Sequence, residues 1–220
     1  DRVQDMVIQN KERITEALDA DFGARSPNQS LISDVYGVLP AFSHAKKHLK
    51  SWMKDEKRKS NFPFGLMGAK SYIHREPLGV VGMISPWNFP MYLSLAPLAG
   101  IFSAGNQVMH KPSEFTPITS ELLKEMCDSA FDETEFATFL GGPDVGAAFT
   151  QLKFDHLLFT GSGNIGKHVM RAASENLVPL TLELGGKSPV IVSDSSNIDI
   201  TARRVMFNKT LNAGQICLAP

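Results

Sequence analysis

This sequence predicts an α/β fold, a parallel sheet with helices on both faces preceded by N-terminal helices, and three observations carry the prediction. From Tyr72 onward, apolar runs of strand length alternate with segments of helical patterning. Strands alternating with helices build βαβ units, whose sheets are parallel and covered on both sides. Polar residues held by Gly or Pro follow four of the runs. In a parallel sheet those segments meet along the carboxyl edge, where such folds bind ligands. Before Tyr72 the apolar residues keep helical spacing instead.

Val3, Met6, Val7, Ile14 and Leu18 recur with that spacing, which predicts an amphipathic helix over 2–20. A second helix is predicted over 28–53, with Pro27 near its start. Its continuation, 46–59, carries seven Lys/Arg against Asp55 and Glu56. Without an aromatic stacking platform, that stretch reads as a solvated helix end and loop, not as a nucleic-acid surface. Strands are predicted at 79–84, 106–110, 136–140, 156–159, 178–184 and 189–192. Helices are predicted at 91–104, 117–130, 144–152, 164–176 and 199–212.

Composition narrows the class. The chain has 220 residues, enough for one large domain. Its net charge of −1 creates no global field toward nucleic acid or an anionic membrane. No apolar run reaches transmembrane length, and Asp1-Arg2-Val3-Gln4-Asp5 is no signal-peptide core. Two cysteines, Cys127 and Cys217, are too few for a disulfide framework and fit no zinc spacing. No metal is expected, and a reducing, cytoplasmic compartment is.

Four stretches and one cysteine carry possible chemistry. Leu180-Thr181-Leu182-Glu183-Leu184-Gly185-Gly186 sets one carboxylate among leucines. Apolar neighbours disfavour the charged form, and a raised pKa would let Glu183 exchange protons near neutral pH. The same residues also describe a strand ending in a solvent-facing Glu. Gly161, Gly163 and Gly166 spell GxGxxG between a strand and a helix, the phosphate-cradling fingerprint of Rossmann-like folds. It follows several strands rather than the first, which argues against Glu183 as its ribose-binding acid; plain turn glycines are the alternative. Lys111-Pro112-Ser113-Glu114 offers a cation and a carboxylate to phosphate and ribose, or helix-capping residues. Asn88, bracketed by Pro86 and Pro90, is either a preorganised donor for an oxyanion or a turn residue. Cys217 has no nearby partner cysteine and is either a nucleophile or a buried, inert thiol.

Five stretches stand in a telling order: Pro86-Trp87-Asn88-Phe89-Pro90, Lys111-Pro112-Ser113-Glu114, Phe159-Thr160-Gly161-Ser162, Glu183-Leu184-Gly185-Gly186-Lys187 and Gly214-Gln215-Ile216-Cys217. Together they resemble the motifs of the NAD(P)-dependent aldehyde dehydrogenase superfamily, from about Tyr72 to the end of the chain. Glu114-Phe115-Thr116-Pro117 and Cys217-Leu218-Ala219-Pro220 resemble the branch acting on fatty and coniferyl-type aldehydes. The resemblance implies that Cys217 attacks the aldehyde carbon, while the Asn88 amide and the Cys217 N–H hold the oxyanion. Hydride passes to the nicotinamide, leaving a thioester that Glu183 hydrolyses by activating water. Lys111 and Glu114 are implied at the adenosine ribose, Gly161 and Ser162 at the pyrophosphate, and Ser85, Trp87 and Ile165 along the cofactor cleft. A carboxylate near the 2′-hydroxyl repels a 2′-phosphate, so NAD is expected, with NADP the alternative. The partner is a small-molecule aldehyde, and the full-length protein is expected to be a homodimer or tetramer.

Two residues depart from the family pattern. His110 stands where an aliphatic residue is usual, and Gly163 where Thr or Ser is commoner. Relatives also continue well beyond Cys217. The chain is therefore expected to be an N-terminal fragment without turnover of its own. Residues 1–187 would form the cofactor-binding domain, and 188–220 the start of a second α/β catalytic domain. Two rivals stand beside this reading. One is an acylating relative that hands its thioester to coenzyme A, against which Glu183 speaks. The other is a non-catalytic nucleotide-binding or assembly module.

Overall fold

In the computed structural model, which describes residues 1–220, the chain opens with α1 (Arg2–Gln9) and α2 (Lys11–Phe22). The single helix expected over 2–20 is thus two. Asn10 takes φ −107° and ψ 13°, and its side-chain amide donates to the Met6 carbonyl at 2.9 Å. Such a side chain competes with the backbone for the helix's own carbonyls. Val3, Met6, Val7, Ile14 and Leu18 still face inward and are buried. Each contributes about 1.5–3 kcal/mol of hydrophobic stabilisation.

The helix expected over 28–53 is also divided, into α3 (Pro27–Ser30), a π-helical turn Leu31–Tyr36 and α4 (Leu39–Trp52). Pro40 has no N–H to give, so it fits only the first turn of a restarted helix. β1 (Glu56–Arg58) and β2 (Ser71–Ile73) then pair as an antiparallel hairpin that the sequence pattern does not announce. Within it Glu56 pairs with both Arg58 and Arg75, which offsets part of the basic run.

Five strands form the main sheet: β3 (Val80–Ile84), β4 (Gln107–Lys111), β5 (Phe136–Thr138), β6 (His156–Gly161) and β7 (Leu180–Leu184). All are parallel, in the order β5-β4-β3-β6-β7. One helix was expected over 91–104, but Pro97 separates α5 (Pro90–Leu95) from α6 (Leu98–Ser103). α7 (Pro117–Ala130), α8 (Pro143–Thr150) and α9 (Gly163–Ser174) complete the crossovers. Side chains alternate between the faces of a strand. Met83, Val108 and Phe136 enter a core shared with α1, α2, α5 and α7. Leu157 and Phe159 instead meet Phe149 of α8 and Val169 of α9. The expected two-sided covering of the sheet is present.

From β3 the chain lays β4 and β5 to one side, then returns to lay β6 and β7 on the other. This is Rossmann-like winding, and the reversal between β3 and β6 opens a crevice beyond their carboxyl ends. The strand expected at 189–192 is absent: that stretch has no regular structure, and Ile191 is 92 % exposed. An apolar run needs a neighbour to pair with, and none lies beside it. α10 (Ile198–Thr210) follows and buries none of its residues.

Candidate active site

The crevice at the reversal is a cleft of about 720 Å³ whose walls include Trp87, Asn88, Gly161, Ser162, Glu183 and Cys217. That volume suits a small organic ligand or part of a dinucleotide. Segments far apart in sequence meet there because each follows a strand tip or α10.

Asn88 lies just before Pro90, the first residue of α5. Its side-chain amide donates to the Gln215 carbonyl at 2.9 Å, across 127 positions. An amide nitrogen carries two N–H groups. One orients Asn88 on the Cys217 loop, and the second remains for a ligand. The Asn88 carbonyl accepts from Asn212 Nδ2 at 2.9 Å.

Cys217 is exposed, so the reading of it as a buried, inert thiol does not hold; that description fits Cys127, whose thiol burial pushes up to about 12. The helix expected over 199–212 ends at Thr210, and a left-handed turn follows it. Asn212 has φ 49°, Ala213 φ 53° and Gly214 φ 80°. Left-handed backbone costs about 1–2 kcal/mol at a residue with a side chain; glycine and, to a lesser degree, asparagine accept it more readily.

Glu183 is exposed near the end of β7. The leucine cage expected around it does not close, and Leu184 is itself 41 % exposed. β7 is the edge strand, so the desolvation argument lacks its premise in this chain. Glu183 nevertheless lines the same cleft as Cys217. A Cβ on Gly185 would lie 4.0 Å from Cys217 Cα, so the segment after Glu183 runs alongside the thiol loop.

At the tip of β6, a Cβ on Gly161 would lie 2.6 Å from the Phe159 ring, so the close turn there requires glycine. Ser162 caps α9, its Oγ accepting the Ile165 N–H at 3.3 Å, and the Ile165 side chain is exposed. The other first-turn N–H groups of α9 have no partner within the helix, an arrangement that favours an anion. Trp87 is partly exposed and packs 6.4 Å from the Phe22 ring.

Four expected cofactor residues do not line the cleft: Ile165, in the first turn of α9, and Ser85, Lys111 and Glu114. The Ser85 hydroxyl is turned into the core, 2.7 Å from Ser94 Oγ and 2.8 Å from His110 Nε2. With its hydroxyl engaged there, Ser85 has its main chain left for a cofactor. Lys111 is buried, and its Nζ donates to the Pro112 carbonyl at 2.7 Å, with Glu114 Oε2 at 3.4 Å. Glu114 lines a separate recess of about 210 Å³ beyond β4. A ligand reaching from β6 across β3 to β4 would span about 10 Å of sheet edge. Sequence reasoning missed Asn212, Arg25, Gln29 and Asp34. Asn212-Ala213-Gly214 carries a turn signal, but nothing local ties the other three to the site.

The sequence model described as the aldehyde dehydrogenase family matches residues 1–220. A probable coniferyl aldehyde dehydrogenase of Caulobacter vibrioides is 57 % identical over 100 % of this chain and 45 % of its own length. A coniferyl aldehyde dehydrogenase of a Pseudomonas species is 54 % identical over the same shares. The chain thus spans about half the length of the curated relatives it matches. The substrate-bound structure of Staphylococcus aureus AldH superposes with a TM-score of 0.94 at 39 % identity, covering 100 % of this chain and 47 % of that one. A Mycobacterium tuberculosis aldehyde dehydrogenase complexed with NAD+ gives 0.86 at 31 % identity, covering 98 % and 44 %.

Proposed function

This chain belongs to the aldehyde dehydrogenase family, and we propose that the protein carrying it oxidises an aldehyde to a carboxylic acid with NAD. The observation behind this reading is the contact of the Asn88 amide with the Cys217 loop, in the cleft that also holds Glu183. NAD, when bound, supplies the acceptor for the hydride that leaves the substrate carbon. Ser162 and the first turn of α9 would hold its pyrophosphate, and Lys111 and Glu114 its adenosine ribose. Lys111 fits that task because an ammonium has three N–H donors and this one spends its best on a single carbonyl. Glu114 near a 2′-hydroxyl favours NAD over NADP by charge.

The Cys217 thiolate forms a bond to the aldehyde carbon as the carbonyl π pair moves to oxygen. The free N–H of the Asn88 amide and the main-chain N–H of Cys217 stabilise that oxyanion. As the oxygen re-forms its double bond, the C–H pair departs as hydride. The carbon is oxidised by two electrons, and a thioester of Cys217 remains. Glu183, open to solvent, takes a proton from water as the water oxygen bonds to the thioester carbon. The C–S bond breaks, which releases the acid and returns the thiolate.

The same proposal assigns 1–187 to the cofactor-binding domain and 188–220 to the start of the catalytic domain, so that this chain alone has no turnover. It takes a coniferyl-type aldehyde as substrate, in line with the names of the two curated relatives quoted above. It also places the whole protein in the cytoplasm as a homodimer or tetramer; no helix here is long and apolar enough to cross a membrane. The test is NADH formation from coniferyl aldehyde by the full-length protein, with acid released in the absence of coenzyme A. Cys217→Ala is expected to abolish it. Undiminished turnover in that variant would refute the assignment.

A further inference from the structure

The N-terminal helices hold both halves of the site, and they do so through polar contacts. The Arg25 side chain is buried between the rings of Phe22 and Phe89, 4.7 and 5.2 Å from their centres. It pairs with buried Asp34 at 2.6 Å and donates to the Asn88 carbonyl at 3.2 Å. Asp34 Oδ1 accepts the N–H groups of Met91 and Tyr92, both at 3.1 Å, in the first turn of α5. The loop carrying Asn88 is therefore fixed at its carbonyl and at the helix that follows it.

Gln29 fixes the other half. Its Nε2 donates to Asn212 Oδ1 at 3.0 Å, and its Oε1 accepts the Asn212 N–H at 3.3 Å. One amide thus grips both the side chain and the main chain of the first left-handed residue. Asn212 Nδ2 in turn donates to the Asn88 carbonyl, the acceptor that Arg25 also uses. Gln29 is itself held: the Ser33 hydroxyl donates to its carbonyl at 2.8 Å, and the same hydroxyl accepts from Arg25 at 3.1 Å. The contacts close a ring running through Arg25, Ser33, Gln29, Asn212 and Asn88.

We infer that Gln29 is a positioning residue for catalysis: by holding the left-handed turn at Asn212, it sets the Cys217 loop in register with the Asn88 amide. The inference rests on the roles given above to Cys217 and Asn88. A left-handed turn at Asn212 and Ala213 is locally unfavourable and persists only where contacts over-determine it. Gln29 supplies two of those contacts from a segment that does not line the cleft.

The test uses the full-length enzyme. Gln29→Met keeps the length of the side chain and removes both amide contacts. It is expected to lower kcat by about 10- to 100-fold, the scale set by a small misplacement of reacting groups. KM for NAD should stay within about twofold, because no cofactor contact changes. Asn212→Gly, which keeps the left-handed turn, should lose a similar factor. The double variant should lose no more than the worse single one, because both variants act on the same Gln29–Asn212 pair. If Gln29→Met is insoluble, Gln29→Glu removes only the donor to Asn212 Oδ1 and should lower kcat with the same unchanged KM. A kcat near the parent's, or losses that multiply, overturns the inference. Cys217→Ala separates the two levels. A dead Cys217→Ala beside a silent Gln29 variant sinks only the positioning role, whereas an active Cys217→Ala sinks both.

Discussion

Acid should destabilise this protein through His110, and replacing that one side chain should remove the effect. His110 is fully buried on β4, where the family resemblance leads one to expect an aliphatic residue. Its Nε2 shares a hydrogen bond with Ser85, while its Nδ1 has no partner. An imidazolium needs an acceptor at both nitrogens, so protonation here would leave a buried N–H unmet. Burial, followed by the nearby Lys111 charge, holds the His110 pKa down at about 3. In the unfolded chain the ordinary value is about 6.5. Between these values the unfolded chain binds the proton and the folded one does not, so stability falls as pH falls through that window. Lowering pH from 7.5 to 5 across that window costs about 2 kcal/mol. For a chain of this size that is a fall of about 4–8 °C in melting temperature.

The assay is thermal or urea unfolding of the parent and of His110→Leu at pH 7.5 and pH 5. Leu is close in volume, and Ser85 keeps Ser94 as a partner. Other titrating groups contribute equally to both proteins and drop out of the difference. The parent should lose about 2 kcal/mol more than the variant over that interval. Equal losses would show that His110 is reached by water or finds an acceptor, and the burial argument would fail.

Two other outcomes follow from buried groups. Asp34→Ala leaves the Arg25 charge buried and two α5 N–H groups without an acceptor, so it should cost about 3–5 kcal/mol in urea unfolding; Arg25→Met with Asp34→Leu should recover the part due to the buried charge, the two N–H groups staying unmet, and no recovery would refute the buried-charge explanation. Iodoacetamide at neutral pH should place one label on the native chain, at exposed Cys217, because Cys127 is buried and its thiol is pushed up to about 12; mass spectrometry finding Cys127 modified at a comparable rate would contradict this.

What could be read from the sequence was what depends on neighbours along the chain. The alternation after Tyr72 marks all five sheet strands, and of the residues singled out at their tips Asn88, Gly161, Ser162 and Glu183 line one cleft while Lys111 and Glu114 do not. What could not be read depends on partners far away. Asn10 and Pro40 divide helices whose apolar spacing continues unbroken, because periodicity reports the buried face and not the backbone bond that fails. The run 189–192 has strand composition but no pairing partner. Glu183 was given a leucine shell on the assumption that sequence neighbours are spatial ones; alternate residues of a strand face opposite ways, and at an edge the shell stays open. Gln29 and Arg25 had no signal at all, since their meaning lies in contacts to Asn212 and Asn88, 183 and 63 positions away.

The position of the glycine fingerprint has a physical reason of the same kind. In the usual dinucleotide fold the glycine turn follows the first strand, and the phosphates sit at the reversal of strand order. Here the first strand of the main sheet, β3, is followed by Ser85-Pro86-Trp87-Asn88, and GxGxxG follows β6, the other strand of the reversal. The two helices that start there differ at their N-termini. α5 has its Met91 and Tyr92 N–H groups taken by the Asp34 carboxylate, which also places negative charge where a phosphate would lie. α9 is capped only by the neutral hydroxyl of Ser162. Electrostatics therefore disfavours an anion at α5 and favours one at the N-terminus of α9. The carboxylate at α5 is also the one that holds Arg25, so one buried ion pair both disfavours an anion there and, together with Asn212, holds the Asn88 carbonyl.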